Sequence, residues 1–136
     1  MKQPRILVVD DDHLMLTLLI GLLRKEGYLY VDKASLGKEA ITKFLQTRPE
    51  VIFLDIELPD FNGIETLKAI REYGTVCQVV MVTATATAQL VKAARELGAS
   101  GFLVKPVSAA KITGAIKICL ERALQEEGSI EFFNIE

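Results

Sequence analysis

Three consecutive carboxylates, Asp10-Asp11-Asp12, follow the apolar run Ile6-Leu7-Val8-Val9, and a fourth, Asp55, closes Val51-Ile52-Phe53-Leu54. Lys105 closes Phe102-Leu103-Val104 and precedes Pro106, while Thr83 ends a further run of apolar residues. Acids crowded around one lysine repel one another and raise each other's pKa, which makes them a poor device for stability. They suit a hard cation and a phosphoryl group better. Mg²⁺ takes about six oxygen ligands and keeps several waters, so two carboxylates and a backbone carbonyl make a partial site. A carboxylate can attack phosphorus to give an acyl phosphate if the incoming charge is neutralised. Mg²⁺ and Lys105 supply that neutralisation, and the Thr83 hydroxyl with backbone N–H groups can hold the remaining oxygens. Other chemistries lack their residues. His13 is the only histidine, no Ser-His-Asp or Cys-His set can be assembled, and neither G-x-x-x-x-G-K-[ST] nor G-x-G-x-x-G occurs.

The elements that must position these groups follow from periodicity. Strand-like runs at about 5–10, 29–34, 51–55, 77–83 and 101–104 alternate with helical patterns at about 13–26, 36–47, 63–73, 86–97 and 108–127. That order predicts five βα units and an α/β, doubly wound parallel sheet. The first helix carries Leu16, Leu19, Ile20 and Leu23 on one face, and the last carries Ile112, Ile116, Cys119, Leu120 and Ala123. Asp12, Ser35 and Ser108 stand where N-caps belong, Gly27 and Gly98 where helices stop. The second run is the most polar and suits an edge. With strand order 2-1-3-4-5, ligands bind outside the carboxyl ends of the strands, between strands one and three. Asp10, Asp11, Asp55, Thr83 and Lys105 all arrive there from four separate runs. This convergence outweighs reading Asp10 and Asp11 as simple helix caps.

At 136 residues and 50% hydrophobic, the chain supports one well-cored domain. Net charge is −2 with signs interspersed, so no basic face favours nucleic acid. Cys77 and Cys119 match no metal or redox spacing and read as reduced core thiols. The longest apolar stretch, 14–23, is too short to span a bilayer, and no secretory signal precedes the first strand, so the expected location is cytoplasmic. The expected organisation is one domain over 1–127 with a C-terminal tail or linker stub over 128–136, where apolar and polar residues alternate.

At these residues the chain resembles the receiver domain of two-component response regulators, most of all the stand-alone chemotaxis type. The similarity covers about residues 4–125. Leu7-Val8-Val9-Asp10-Asp11 is similar to the family's acidic pair, and Phe53-Leu54-Asp55 with Leu58-Pro59-Asp60-Phe61-Asn62-Gly63 to its phosphoacceptor strand and turn. Met81-Val82-Thr83-Ala84 and Gly98-Ala99-Ser100-Gly101-Phe102-Leu103-Val104-Lys105-Pro106 complete the set. The resemblance implies a flavodoxin-like (βα)5 fold and phosphorylation of Asp55. It implies Mg²⁺ on Asp11, Asp55 and the Glu57 carbonyl, with Asp10 acting through water. Thr83, Ala84 and Lys105 would bind the phosphoryl group, Thr83 and Phe102 would form the switch, and Lys105-Pro106 would be a cis peptide. Glu57 and Thr85 occupy the positions that tune acyl-phosphate lifetime. Leu58 and Asn62 depart from the usual turn, which keeps Gly63 for its backbone freedom. Phe102 stands where many members carry Tyr.

The expected function is a phosphorylation-controlled binding switch and not an enzyme. Its partners would be a sensor histidine kinase or phosphotransfer protein and an output protein docking on the face of helix four, strand five and helix five, where Val91 and Ile118 would flank Phe102 as apolar anchors. Neither nucleic acid nor membrane is expected as a direct partner, and a phosphorylation-dependent homodimer is admitted. One rival is the N-terminal receiver of a larger DNA-binding regulator. The other is a haloacid-dehalogenase-like phosphatase, opposed by the order of its motifs and by the lack of a cap insertion.

Overall fold

In the computed structural model, which describes residues 3–74, 76–123 and 132–135, strands and helices alternate along the chain. Strand β1 spans Arg5–Val9, α1 His13–Lys25, β2 Tyr30–Ala34, α2 Gly37–Thr47 and β3 Val51–Asp55. Then follow α3 Gly63–Glu72, β4 Gln78–Thr83, α4 Ala88–Glu96, β5 Gly101–Val104, α5 Ala109–Ala123 and β6 Phe133–Ile135. All strand pairs are parallel, in the order β2-β1-β3-β4-β5-β6. The first five strands stand in the expected order 2-1-3-4-5. The sixth adds to the open edge of β5 and comes from the tail that the sequence leaves unassigned. The expected continuation of the last helix to 127, the Ala123 side chain and tail residues 128–131 and 136 lie outside the described residues.

Successive residues of a strand point to opposite faces, so continuous apolar runs feed two cores. Leu7, Val9, Ile52, Leu54, Val79, Met81 and Phe102 meet Ala40, Phe44, Leu67, Ile70 and Ala94 on one side. Ile6, Val8, Phe53, Val80, Val82 and Leu103 meet Leu16, Leu19, Leu23, Ile112, Ile116 and Cys119 on the other. The β2 edge is the wet one: its residues before Ala34 are exposed or half-buried, and Asp32 pairs with Lys43 at 3.2 Å. Both cysteines are free and buried, and burial pushes each thiol up to about 12, which leaves them inert. Among the described residues no helix is long and apolar enough to cross a membrane.

The caps place the helices relative to the site. Asp12 accepts from Leu14 N–H at 2.9 Å and Met15 N–H at 3.3 Å, and Ser108 accepts from Lys111 N–H at 3.2 Å. Gly27 and Gly98 end their helices at φ of 97° and 82°, where a side chain is disfavoured. Ser35 does not cap α2. Instead its own N–H donates to Glu39 at 2.7 Å, and the orphan donors of Gly37 and Lys38 go to the Asp60 carboxylate at 2.7 and 3.0 Å. A carboxylate also suits a helix N-terminus better than a hydroxyl does. Four backbone N–H groups (Lys38, Gly37, Phe61 and its own) outweigh the upward push of desolvation and hold the Asp60 pKa below its ordinary value.

Candidate functional site

The carboxyl ends of β1, β3, β4 and β5 deliver the polar groups to one crevice. Asp10 is buried just past β1, Asp55 is the last residue of β3, Thr83 the last of β4, and Lys105 follows β5. The three carboxylates of Asp10, Asp11 and Asp55 offer oxygens within 4.8 Å of one another, Asp11 from an exposed position and the other two from buried ones. Lys105 Nζ lies 3.0 Å from Asp10 Oδ2 and 3.1 Å from Asp55 Oδ2. The second oxygens are also used: Asp10 Oδ1 accepts from Asp12 N–H at 2.9 Å, and Asp55 Oδ1 from Glu57 N–H at 3.1 Å. Two buried acids thus share one ammonium, and the local charge is negative before Asp11 is counted.

The titration of the groups reflects that imbalance. Burial, and next the charge of Asp10, push the Asp55 carboxyl up to about 6, against the downward pull of Glu57 N–H and Lys105. Burial works to lower the Lys105 pKa, but the hydrogen bonds and charges of Asp10 and Asp55 outweigh it and hold the ammonium above its ordinary value. The donor set fits a divalent cation with hard oxygen ligands. Such an ion would supply the positive charge that one lysine does not, as Mg²⁺ does with one or two carboxylates.

Thr83 is fully buried, and its hydroxyl lies 3.4 Å from Glu57 Oε1 and 3.3 Å from Thr85 O while accepting from Thr85 N–H at 3.2 Å. The Lys105 N–H donates to Thr83 O at 2.8 Å, tying the ends of β4 and β5 together, and the Lys105–Pro106 peptide is cis. Ala84 is exposed immediately beyond β4. Phe102 pairs with Met81 in register, so its ring and the Thr83 side chain share one face of the sheet; the ring is wholly buried. Val91 is half-buried and packs against the first core, while Ile118 is half-buried on α5.

Gly63 is required for a reason other than backbone freedom. Its φ is not positive; a Cβ there would collide with Asp55 O and with Ile56 Cα, because the start of α3 runs against the end of β3. Its N–H donates to Ile56 O at 2.6 Å and closes the loop. Sequence reasoning also missed Asp60, whose partners lie 22 and 23 residues away, and the contact of the Glu57 side chain with Thr83.

Comparison with known proteins agrees with this geometry. Residues 6–117 match the model of the response regulator receiver domain. The chain is similar to the chemotaxis protein CheY of Thermotoga maritima, 30% identical over 112 residues that cover 82% of this chain and 93% of that one. It is 35% identical over 132 residues to the alkaline phosphatase synthesis transcriptional regulatory protein PhoP of Bacillus subtilis, covering 97% of this chain but 55% of PhoP. A CheY-like receiver domain structure from Methanospirillum hungatei superposes with a TM-score of 0.87 at 29% identity, covering 93% of this chain and all of that one. A domain-wide match in sequence and fold, over a crevice that gathers the acids, threonine and lysine, places the chain in the response regulator receiver domain family, and it is a phosphorylation-dependent signalling switch.

Proposed function

We propose that Asp55 accepts a phosphoryl group from a sensor histidine kinase or phosphotransfer protein, and that an output protein in the cytoplasm reads the result. The observation that carries this is the arrangement of Lys105, which bridges Asp10 and Asp55 at 3.0 and 3.1 Å and leaves the buried pair one positive charge short. Asp11, Asp55 and the Glu57 carbonyl would hold Mg²⁺, with Asp10 behind them, and the ion supplies charge neutralisation for the incoming phosphoryl group. In the transfer, an Asp55 carboxylate oxygen forms its bond to phosphorus as the bond from phosphorus to the donor's imidazole nitrogen breaks, and the leaving imidazole takes up a proton from solvent. Lys105 stays protonated and turns toward the new phosphoryl oxygens. The Thr83 hydroxyl gives up its weak contacts with Glu57 and Thr85 to donate to one of them, beside Ala84 N–H. Thr83 and Phe102 share a sheet face, so this movement reaches the surface formed by α4, β5 and α5.

Support for a protein donor lies beside the crevice. Leu14 and Leu18, one helical turn apart on α1, are 83% and 51% exposed, next to the acids. Apolar side chains so placed suit a docking helix. The decisive experiment is labelling with acetyl phosphate: wild type should form a labile acyl phosphate and Asp55→Asn should not. Labelling of the variant at the wild-type level overturns the assignment, and sustained release of phosphate from an aryl phosphate would overturn a self-limited acceptor in favour of a phosphatase.

The match to PhoP, of which this chain spans 55%, favours a second reading as the receiver portion of a longer regulator. The size of the native product on an immunoblot separates the two.

A further inference from the structure

The tail is short of apolar length for a core element, yet its four described residues make specific contacts. Strand β6 pairs in parallel with β5, Phe133 opposite Gly101 and Asn134 opposite Phe102, and Phe133 N–H donates to Ser100 O at 3.1 Å. Adjacent residues of an extended segment point to opposite sides. Phe132 accordingly packs on the first core and meets the Phe102 ring at 6.4 Å between centroids, tilted by 57°. Phe133 packs on the second core, over Gly101, where a Cβ would strike its ring. Each ring carries a guanidinium: Arg95 of α4 stands 5.1 Å from the centre of Phe132, and Arg122 of α5 stands 5.3 Å from that of Phe133. Arg122 also donates to Ser100 O at 3.0 Å. Helix α4, strand β5 and helix α5 therefore grip one dipeptide between them.

We propose that the edge of β5 is a docking site for an extended segment with two consecutive aromatic side chains, and that Phe132–Ile135 of this chain is its resident occupant. A partner for the α4–β5–α5 face must displace that occupant to reach Phe102; this last step rests on the signalling reading above, whereas the strand site does not. The geometry specifies the ligand. A parallel strand satisfies the backbone groups of β5, the missing Cβ of Gly101 admits a ring on one side, the buried Phe102 ring offers an aromatic contact on the other, and two arginines favour acidic flanks. In sequence the segment has such flanks, Glu131 and Glu136. Among the described residues three pair, and both rings are half-buried. So slight a strand holds its place through its high effective concentration in the same chain.

The test uses the full chain without Mg²⁺ or beryllofluoride. Hydrogen exchange should show the Phe133 amide protected in wild type and its protection lost in Gly101→Ala, which fills the space of the ring while leaving the acids untouched. A fluorescent peptide with the sequence of residues 129–136 should bind the Phe132→Ala/Phe133→Ala variant about ten-fold more tightly than wild type, since the native segment no longer competes. Adding Gly101→Ala to that variant should abolish the gain. Equal peptide binding by wild type and double variant, or binding by neither, overturns the proposal. So does protection of Phe133 that depends on protein concentration, which would assign the strand to a second copy. Mg²⁺ and beryllofluoride added afterwards test Asp55 separately: amide NMR shifts around residue 55 that do not move, with peptide binding intact, refute the acceptor assignment and leave the strand site standing.

Discussion

The Glu57 carboxylate reaches over the crevice to Thr83, its Oε1 3.4 Å from the threonine hydroxyl. At that length the hydrogen bond is weak, and the alternative acceptor, Thr85 O at 3.3 Å, is no better. The hydroxyl proton is therefore easily redirected, but a negative charge stands where phosphoryl oxygens would arrive. Glu57→Ala should raise the affinity for beryllofluoride in the presence of Mg²⁺ about three- to five-fold, the effect of roughly 1 kcal/mol of repulsion between partly solvated charges. An NMR titration that finds affinity unchanged or lower would count against this repulsion.

Asp55→Asn should stabilise the metal-free protein in a pH-dependent way. Because the folded-state pKa of Asp55 is raised from 3.8 to about 6, its contribution is intact below pH 4 and is lost as pH rises through 6. Wild type in EDTA should thus weaken between pH 4 and 7, while the asparagine variant escapes that loss and is more stable at pH 8 by on the order of 2 kcal/mol. Urea denaturation of both proteins at pH 4 and pH 8 checks it. A variant equally destabilised at both values would show that lost packing dominates.

Asp11→Ala should separate metal affinity from stability. Its carboxylate belongs to the acid cluster but is exposed, so its removal should leave metal-free stability within about 0.5 kcal/mol. Mg²⁺ affinity, which depends on anionic oxygens displacing water from a reluctant ion, should fall by about ten-fold or more. Titration calorimetry finding equal affinity would remove Asp11 from the site.

Asp60→Ala should cost about 1 kcal/mol, the usual worth of an N-cap, since it leaves the N–H groups of Gly37 and Lys38 to solvent. The pKa of Asp60 is lowered in the folded state, so this stabilisation is present above the ordinary carboxylate pKa and is lost as pH falls through the folded value. Thermal melts at pH 7 and pH 3 should show the gap between variant and wild type closing in acid.

How much the chain discloses before folding depends on the range of each interaction. Asp10, Asp55, Thr83 and Lys105 are legible because each interrupts an apolar run at its carboxyl end, and parallel pairing then brings those ends together with no further information. Asp12 and Ser108 are legible as caps because they act on donors two or three residues away. Asp60 is not, since its role exists only once α2 and the loop after β3 are side by side. Gly63 is recognisable as obligatory, but conformational freedom is the wrong reason: the constraint is the nearness of Asp55 O, which no local pattern records. The tail alternates like a strand, yet only the bare edge of β5, the gap at Gly101 and two arginines from different helices determine where it lies.

The loop between β3 and α3 has a dynamic consequence. Gly63 N–H closes it onto Ile56 O, Asn62 caps α3 through Glu65 N–H at 2.9 Å, and Asp60 fastens its tip to α2. A surface loop usually belongs to the loosest part of a protein, opening many times for each global unfolding event. Fastened at its base and its tip, this one should instead open in a single cooperative unit with α2 and the end of β3, so Asp55 keeps its surroundings through the small fluctuations that free other loops.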